Sequence, residues 1–298
     1  MPHRQATFKT SDRSRQLQIL STRLVTSLFA GAYKSVFRGR GIEFEELCDY
    51  QPGNDIRSID WNVTARTGRP FIKRFAEERE MTVLLVLDRS ASLRCPSPRR
   101  PKHEVAAEVC ALLATAAERN NDRIGLLTFG TGIECFIPPG KGSRHARRLI
   151  AEIAASPAAS GGSDLAGALN YLDRVTRRPA IIFIVSDFIC ADFSTALAGV
   201  ARRHDTVAIQ LSDPFDFNLP DVGLLQVSDA ESGQGRVVDA GSGAVRTAYA
   251  RLAALRQSDI RQTIAVAGAE IMPLCTTAHP VHVLSRFFQG RRRARAFA

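Results

Sequence analysis

The chain is short of aromatic residues, which occupy 7% of its 298 positions and include one tryptophan, Trp61. Those rings do not alternate with arginine or lysine in any strip that could stack successive bases, so an extended nucleic-acid platform is not expected. Long apolar runs are also missing. No stretch reaches the roughly 18 residues that span a bilayer. The N-terminal region is broken by arginines rather than built as a charged patch before an apolar core, which argues against secretion as well as insertion. The six cysteines, Cys48, Cys95, Cys110, Cys135, Cys190 and Cys275, include no CxxC pair. Several sit in apolar runs, where cysteine behaves as a small hydrophobe. That usage points to a reducing, cytoplasmic compartment.

Three catalytic signatures are missing as well. Pro138-Pro139-Gly140-Lys141-Gly142-Ser143 resembles a phosphate-binding loop, but the first glycine of GxxxxGK[ST] would fall on Cys135, and Gly142 follows Lys141. Without that cradle an NTPase is not expected. There is no GxSxG nucleophile elbow. The histidines lack HExxH spacing, and His279 and His282 have no companion cysteine or carboxylate pattern, so a zinc site is not expected.

What the chain does have is a globular composition, 45% hydrophobic and 23% charged, and a length that can bury an ample core. Its net charge of +10 is unevenly placed: residues 1–80 carry +4 and residues 286–298 carry +5, leaving the middle almost neutral. The basic tail, residues 291–298 with Arg291, Arg292, Arg293 and Arg295, could touch phosphate or an anionic surface, or simply be a solvated, partly disordered end. Nucleic-acid binding through it remains a minor alternative.

Two styles of patterning divide the chain. Residues 1–80 read as an accessory segment. A helix over 11–37 is expected, capped by Ser11 or Asp12, with Leu17, Leu20, Leu24 and Leu28 on one face and Arg13, Arg15 and Arg23 among the rest. Such a helix could dock on its own domain, on a partner or on a membrane surface. Gly, Pro and Asp then punctuate residues 40–80, marking turns around short strands, with Trp61 expected to pack within them or, as the alternative, to serve an interface. Residues 81–290 change to strand–helix alternation. Val83 to Leu87, Ile124 to Phe129, Ala180 to Ser186 and Thr206 to Leu211 are apolar runs of the kind covered on both faces. Helices are expected over 103–119, 143–155, 164–177 and 193–203, with Ile133 to Ile137 pairing as a hairpin. The expected fold is α/β, a doubly wound, mostly parallel sheet flanked by helices. Residues 213–241 interrupt it as a hairpin insertion on one sheet edge. A helix over about 244–268 follows, with Leu252, Leu255, Ile260 and Ile264 on its apolar side. Residues 270–274 then form a strand, and 281–284 begin a terminal helix.

Ligands of open α/β sheets bind at strand carboxyl ends. Two runs end there in aspartate. Asp88 opens Asp88-Arg89-Ser90-Ala91-Ser92, a carboxylate and two hydroxyls at i, i+2 and i+4. Asp187 closes Val185-Ser186-Asp187. Between them Ser160-Gly161-Gly162-Ser163-Asp164 offers a third hydroxyl, Ser163, before a helix. Five hard oxygens, only two of them charged, suit Mg²⁺ or Mn²⁺ with a coordination position left open. Asp164 reads as a helix-N-terminal charge or as a more distant acceptor.

These residues resemble the von Willebrand factor A-like domains, whose metal-ion-dependent adhesion site uses Asp-x-Ser-x-Ser, a separate Thr and a later Asp at a strand end. Here those positions are Asp88, Ser90, Ser92, Ser163 and Asp187, with Ser163 replacing Thr and keeping the oxygen without the methyl. The stretches Gly41-Ile42-Glu43-Phe44-Glu45-Glu46-Leu47, Tyr50-Gln51-Pro52-Gly53-Asn54-Asp55, Ile59-Asp60-Trp61 and Ala65-Arg66-Thr67-Gly68 are similar to a narrower bacterial family, domain of unknown function 58. The resemblance runs from about residue 35 to 290. It implies a non-enzymatic interaction module or chaperone-like adaptor, since members are often encoded beside MoxR-type AAA+ ATPases. A Mg²⁺-dependent hydrolase using Asp88 and Asp187 is the enzymatic alternative, though it has no evident general base.

Overall fold

Four continuous apolar runs become the middle of one sheet, because each is covered by helices above and below. The structure, a computed structural model, describes residues 3–25, 33, 36, 46–51, 59, 61–74, 80–95, 97, 99–155, 161–228 and 234–296. In chain order the elements are α1 (His3–Leu24), β1 (Glu46–Asp49), α2 (Trp61–Thr67), β2 (Phe71–Arg74), β3 (Thr82–Asp88), a 3₁₀ turn (Ala91–Arg94) and α3 (Lys102–Arg119). They continue as β4 (Arg123–Phe129), β5 (Ile133–Gly140), α4 (Ser143–Ala155), α5 (Leu165–Val175), β6 (Ile181–Ser186), α6 (Ser194–Arg203) and β7 (Asp205–Ser212). The last are α7 (Pro214–Phe217), β8 (Leu224–Ser228), β9 (Gly235–Asp239), α8 (Gly243–Val266), β10 (Glu270–Cys275) and α9 (Pro280–Ala296).

The main sheet has six strands in the order β10-β7-β6-β3-β4-β5, all parallel except β5, which pairs antiparallel with β4. Period-two alternation divides its side chains between two cores. Val83, Leu85 and Leu87 of β3 face a layer containing Leu112, Leu149, Leu284 and Phe288 from α3, α4 and α9. Leu84 and Val86 face Leu169, Leu172, Leu197 and Ile264 from α5, α6 and α8. The fold is therefore the doubly wound α/β sheet that the patterning predicts. From β3 the chain moves outward to β4 and β5, then crosses back to β6 on the other side. The carboxyl ends of β3 and β6 thus flank the switch point where such sheets bind ligands.

The N-terminal helix begins earlier than its spacing suggests. It starts at His3, so Ser11 and Asp12 lie within it rather than at its cap, and it ends at Leu24. Nothing in residues 3–10 breaks a helix, so there is no reason for it to wait for a capping residue. Tyr33 and Val36 are helical and buried, while 26–32, 34–35 and 37 lie outside the described residues. Helix α1 docks on its own domain, where Leu17 and Leu24 pack on the core. Ser21 accepts from Thr115 at 2.9 Å, and the Thr22 carbonyl accepts from Arg119 at 2.9 Å. Strands β1 and β2 pair antiparallel, as the turn-rich segment suggests. Trp61, expected to pack, is instead 66% exposed on the first residue of α2.

Three further expectations are corrected. The insertion pairs β8 with β9 as a separate two-stranded sheet rather than extending the main one, whose edges are β10 and β5. Both short strands remain largely exposed, so neither has the buried face that would bind it to the main edge. In α8 the core-facing residues are Ala253, Gln257, Ile260 and Ile264, while Leu252 and Leu255 face solvent. Gln257 takes the inward place because Gln210 of β7 donates to it at 2.8 Å. Finally, α9 continues through Ala296, and Arg291 is buried, pairing with Asp205 at 2.6 Å and Glu270 at 2.7 Å. That arginine clamps the helix to β7 and β10.

Candidate metal centre

The sequence-predicted oxygens come from three loops; the structure links Asp88, Ser90, Ser92 and Ser163 by hydrogen bonds, whereas the Asp187 carboxylate pairs with Lys102. Asp88 is the last residue of β3, and its loop is pinned on both sides. The Arg89 amide donates to the Phe129 carbonyl of β4 at 2.7 Å, and the Ala91 amide donates to the Gly161 carbonyl at 3.1 Å. Gly161 sits at φ +128°, where a Cβ would come 2.6 Å from Thr131, so only glycine lets this loop approach so closely. The Asp164 amide in turn donates to the Gly130 carbonyl at 2.7 Å. The Asp164 carboxylate caps α5 by accepting from the Gly167 amide at 2.8 Å, which settles its role as a helix-terminal charge.

Asp88 is 2% exposed and both of its oxygens accept hydrogen bonds. Oδ1 accepts from the Ser90 amide at 2.8 Å, and Oδ2 accepts from the hydroxyls of Ser163 at 3.0 Å and Ser186 at 2.6 Å. The Ser90 and Ser92 hydroxyls lie 3.1 Å apart. Neutral donors supply all of these contacts, and Asp88 has no cationic partner among the described residues. Burial first, and the charge of Asp187 second, push its carboxyl above the ordinary value of 3.8 against the pull of these hydrogen bonds. The neighbouring Arg89 does not relieve it, since its guanidinium turns away to Glu134 at 3.2 Å and to Glu152.

Asp187 follows β6 and is held differently. Lys102, the first residue of α3, is 2% exposed and places Nζ 3.0 Å from Asp187 Oδ2 and 2.9 Å from Asp216 Oδ1. A cation at a helix N-terminus opposes the helix dipole, so this ammonium depends on those two carboxylates. The other Asp187 oxygen accepts from the Ile189 amide at 3.2 Å. Phe188 between them adopts φ +59°, an unusual conformation for a bulky residue. Its amide donates to Ser186 Oγ at 2.9 Å, and its buried ring lies 5.7 Å from that of Phe193. The strained turn is thereby locked with Asp187 aimed at Lys102.

The donor set fits a small hard cation. Ligands at 2.0–2.1 Å in an octahedron place neighbouring oxygens roughly 3 Å apart. That is the spacing of Ser90 from Ser92, 3.1 Å, and of Ser163 from Asp88, 3.0 Å. Ser90, Ser92, Ser163 and Asp88 are the residues that could hold such an ion, with Asp187 beside them. Ser163 is only half-buried and forms the open side. No cluster of three His, Cys, Asp or Glu side chains suited to a metal occurs among the described residues.

Sequence reasoning missed two members of this cluster. Ser186 was legible only as the end of a strand. Lys102 lies in Pro101-Lys102-His103-Glu104, which reads like any solvated helix start, and only the tertiary fold carries it to Asp187, 85 positions away.

Residues 46–259 match the model of the family described as "Protein of unknown function DUF58". An uncharacterized protein of Mycobacterium tuberculosis is 33% identical over 282 residues, covering 94% of this chain and 89% of that one. Among solved structures, the conserved hypothetical protein BatB of Bacteroides thetaiotaomicron overlaps with a TM-score of 0.45 at 14% identity, over 73% of this chain and 100% of that one. A von Willebrand factor type A protein of Catenulispora acidiphila overlaps at 0.42 and 12% identity, over 72% of this chain and 43% of that one. Overlaps this loose add nothing to the sheet order itself, from which the fold is read.

Proposed function

Starting from the fact that the chain belongs to the DUF58 family, we propose that it is a non-enzymatic protein-interaction module whose Asp88 cluster holds Mg²⁺ or Mn²⁺. The observation that carries this reading is the buried Asp88 carboxylate, surrounded by hydroxyls and without a cationic side-chain partner among the described residues. A divalent ion there would be a Lewis acid with neutral hydroxyl ligands. It would keep positive charge to offer an acidic side chain of a partner through the open side at Ser163. The chain's own residues prepare that site: β3 and β6 fix the two aspartates, Gly161 brings the Ser163 loop against Ala91, and Ser186 steadies Asp88.

The partner proposed from the family resemblance is a MoxR-type AAA+ ATPase, in chaperone-like assembly or metal-insertion work. The five described thiols, Cys95, Cys110, Cys135, Cys190 and Cys275, are free. No described helix is long and apolar enough to cross a membrane. Both facts support the cytoplasmic placement that we propose. Interaction is favoured over hydrolysis because Asp187 is already paired with the Lys102 ammonium at 3.0 Å, which leaves it poorly suited to act as a general base.

The test is calorimetric titration of the full chain with MgCl₂ and with MnCl₂, beside Asp88→Ala. Saturable heats in the native chain that vanish in the variant support the site, and indistinguishable heats sink it. If the ion binds only the folded chain, a free concentration ~100 times Kd should stabilise it by about 2.7 kcal/mol. Capture of a MoxR-type ATPase by the native chain but not by Asp88→Ala tests the partner. Phosphatase or nuclease turnover lost in Asp187→Ala would favour the hydrolase instead.

A further inference from the structure

Lys102 places a positive charge where a metal site would be expected to attract one. Its ammonium is 2% exposed and lies 3.0 Å from Asp187. Asp187 directly follows Ser186, whose hydroxyl lies 2.6 Å from Asp88, so the two carboxylates stand at the ends of paired neighbouring strands. An ion among Asp88, Ser90, Ser92 and Ser163 would therefore share the field of Asp187 with Lys102 and be repelled by it.

Lys102 also has a second anion. Asp216 Oδ1 is 2.9 Å from the same nitrogen, and its other oxygen is fixed by the Asp213 amide at 2.7 Å in a capping box on α7. Asp213 is itself anchored, accepting from Thr276 at 2.6 Å and from Ser97. The ammonium can thus loosen its hold on Asp187 and remain paired.

We infer that Lys102 is a built-in competitor for the divalent cation at the Asp88 cluster, with Asp216 the acceptor that draws it away from Asp187 when the ion enters. The inference rests on the metal reading above and names its regulator. Lys102 balances Asp187 without metal, and the tug between Asp187 and Asp216 sets the affinity.

Opposite shifts distinguish this role from a merely structural one. Mg²⁺ and Mn²⁺ titrations would compare the native chain with Lys102→Met, Asp216→Asn and the charge-balanced Lys102→Met/Asp216→Asn. Circular dichroism confirms that each is folded. Binding should be at least tenfold tighter in Lys102→Met and in the double variant. It should be weaker in Asp216→Asn, where Lys102 has only Asp187 to pair with. Unchanged or weaker binding in both lysine variants overturns the inference, as does a shift of Asp216→Asn in the same direction as Lys102→Met. The two readings can fail separately. Binding in the native chain that ignores Lys102 leaves the metal site standing and removes its regulator. A silent native chain beside a double variant whose binding disappears on adding Asp88→Ala keeps the competitor and removes the native metal. Silence in every variant removes both.

Discussion

Asp88 and Asp187 stand at the carboxyl ends of neighbouring central strands and are buried almost equally, yet they are satisfied in different ways. Around Asp88 the partners are an amide and two hydroxyls, and the charge is left uncompensated. Around Asp187 the partner is an ammonium, shared with a third carboxylate. Hydrogen bonds to neutral donors meet the geometry of a buried carboxylate without meeting its charge, and burial then raises its proton affinity. An ion pair meets both, at the cost of desolvating two groups. The first side is therefore prepared for something that arrives, and the second is complete in itself.

Removing each carboxylate breaks the comparison most sharply. Asp187→Ala leaves Lys102 buried with half its partners, and stability should fall by about 3 kcal/mol, the low end for breaking a buried pair because Asp216 remains. Asp88→Asn keeps the shape, removes the unbalanced charge and turns one acceptor oxygen into an NH₂ toward which the Ser163 and Ser186 hydroxyls must rotate to accept, so its cost without metal should be about 1 kcal/mol. Urea unfolding measures both, and equal losses would show that the two sides are not different in kind. Ser186→Ala comes between. It strips Asp88 of its 2.6 Å donor and the Phe188 amide of its 2.9 Å acceptor, leaving buried polar groups unpaired. About 1–3 kcal/mol should be lost. A midpoint matching that of the native chain would mean that water or a shifted backbone replaces the hydroxyl.

The same contrast explains what could be read before folding. Val83 to Leu87 and Ile181 to Val185 announce themselves because a strand covered on both faces must be apolar throughout. The Asp88 side is legible too, because Asp88, Ser90 and Ser92 are neighbours and their spacing is local. The Asp187 side is not, since Lys102 and Asp216 reach it from separate parts of the chain, and a lysine at a helix start has no pattern that marks it as buried. Tertiary contacts likewise overrode local pattern in α8, where Gln257 rather than Leu255 faces the core because Gln210 waits there. Arg291, read as part of a solvated tail, is instead buried by two acids that no local window could include.

The smallest expected effect sharpens the comparison through pH. Asp88 has its carboxyl raised above 3.8 by burial and Asp187. In the metal-free chain its folded form therefore holds a proton more readily than its unfolded form. That contribution is complete below 3.8 and is lost as pH rises through the raised value. Asp213, which anchors the Lys102 side, behaves oppositely. Burial works to raise its carboxyl, but the hydroxyls of Ser97 and Thr276, the Phe215 amide and Lys102 outweigh it and bring it below 3.8. Its contribution is present above 3.8 and is lost as pH falls through the lowered value. Unfolding midpoints measured from neutral into acid should thus show a gentle gain from Asp88, absent in Asp88→Asn, before a loss below 3.8 that is reduced in Asp213→Asn. If Asp213→Asn keeps the native acid slope, the anchor beneath Lys102 is not held by that carboxylate's charge.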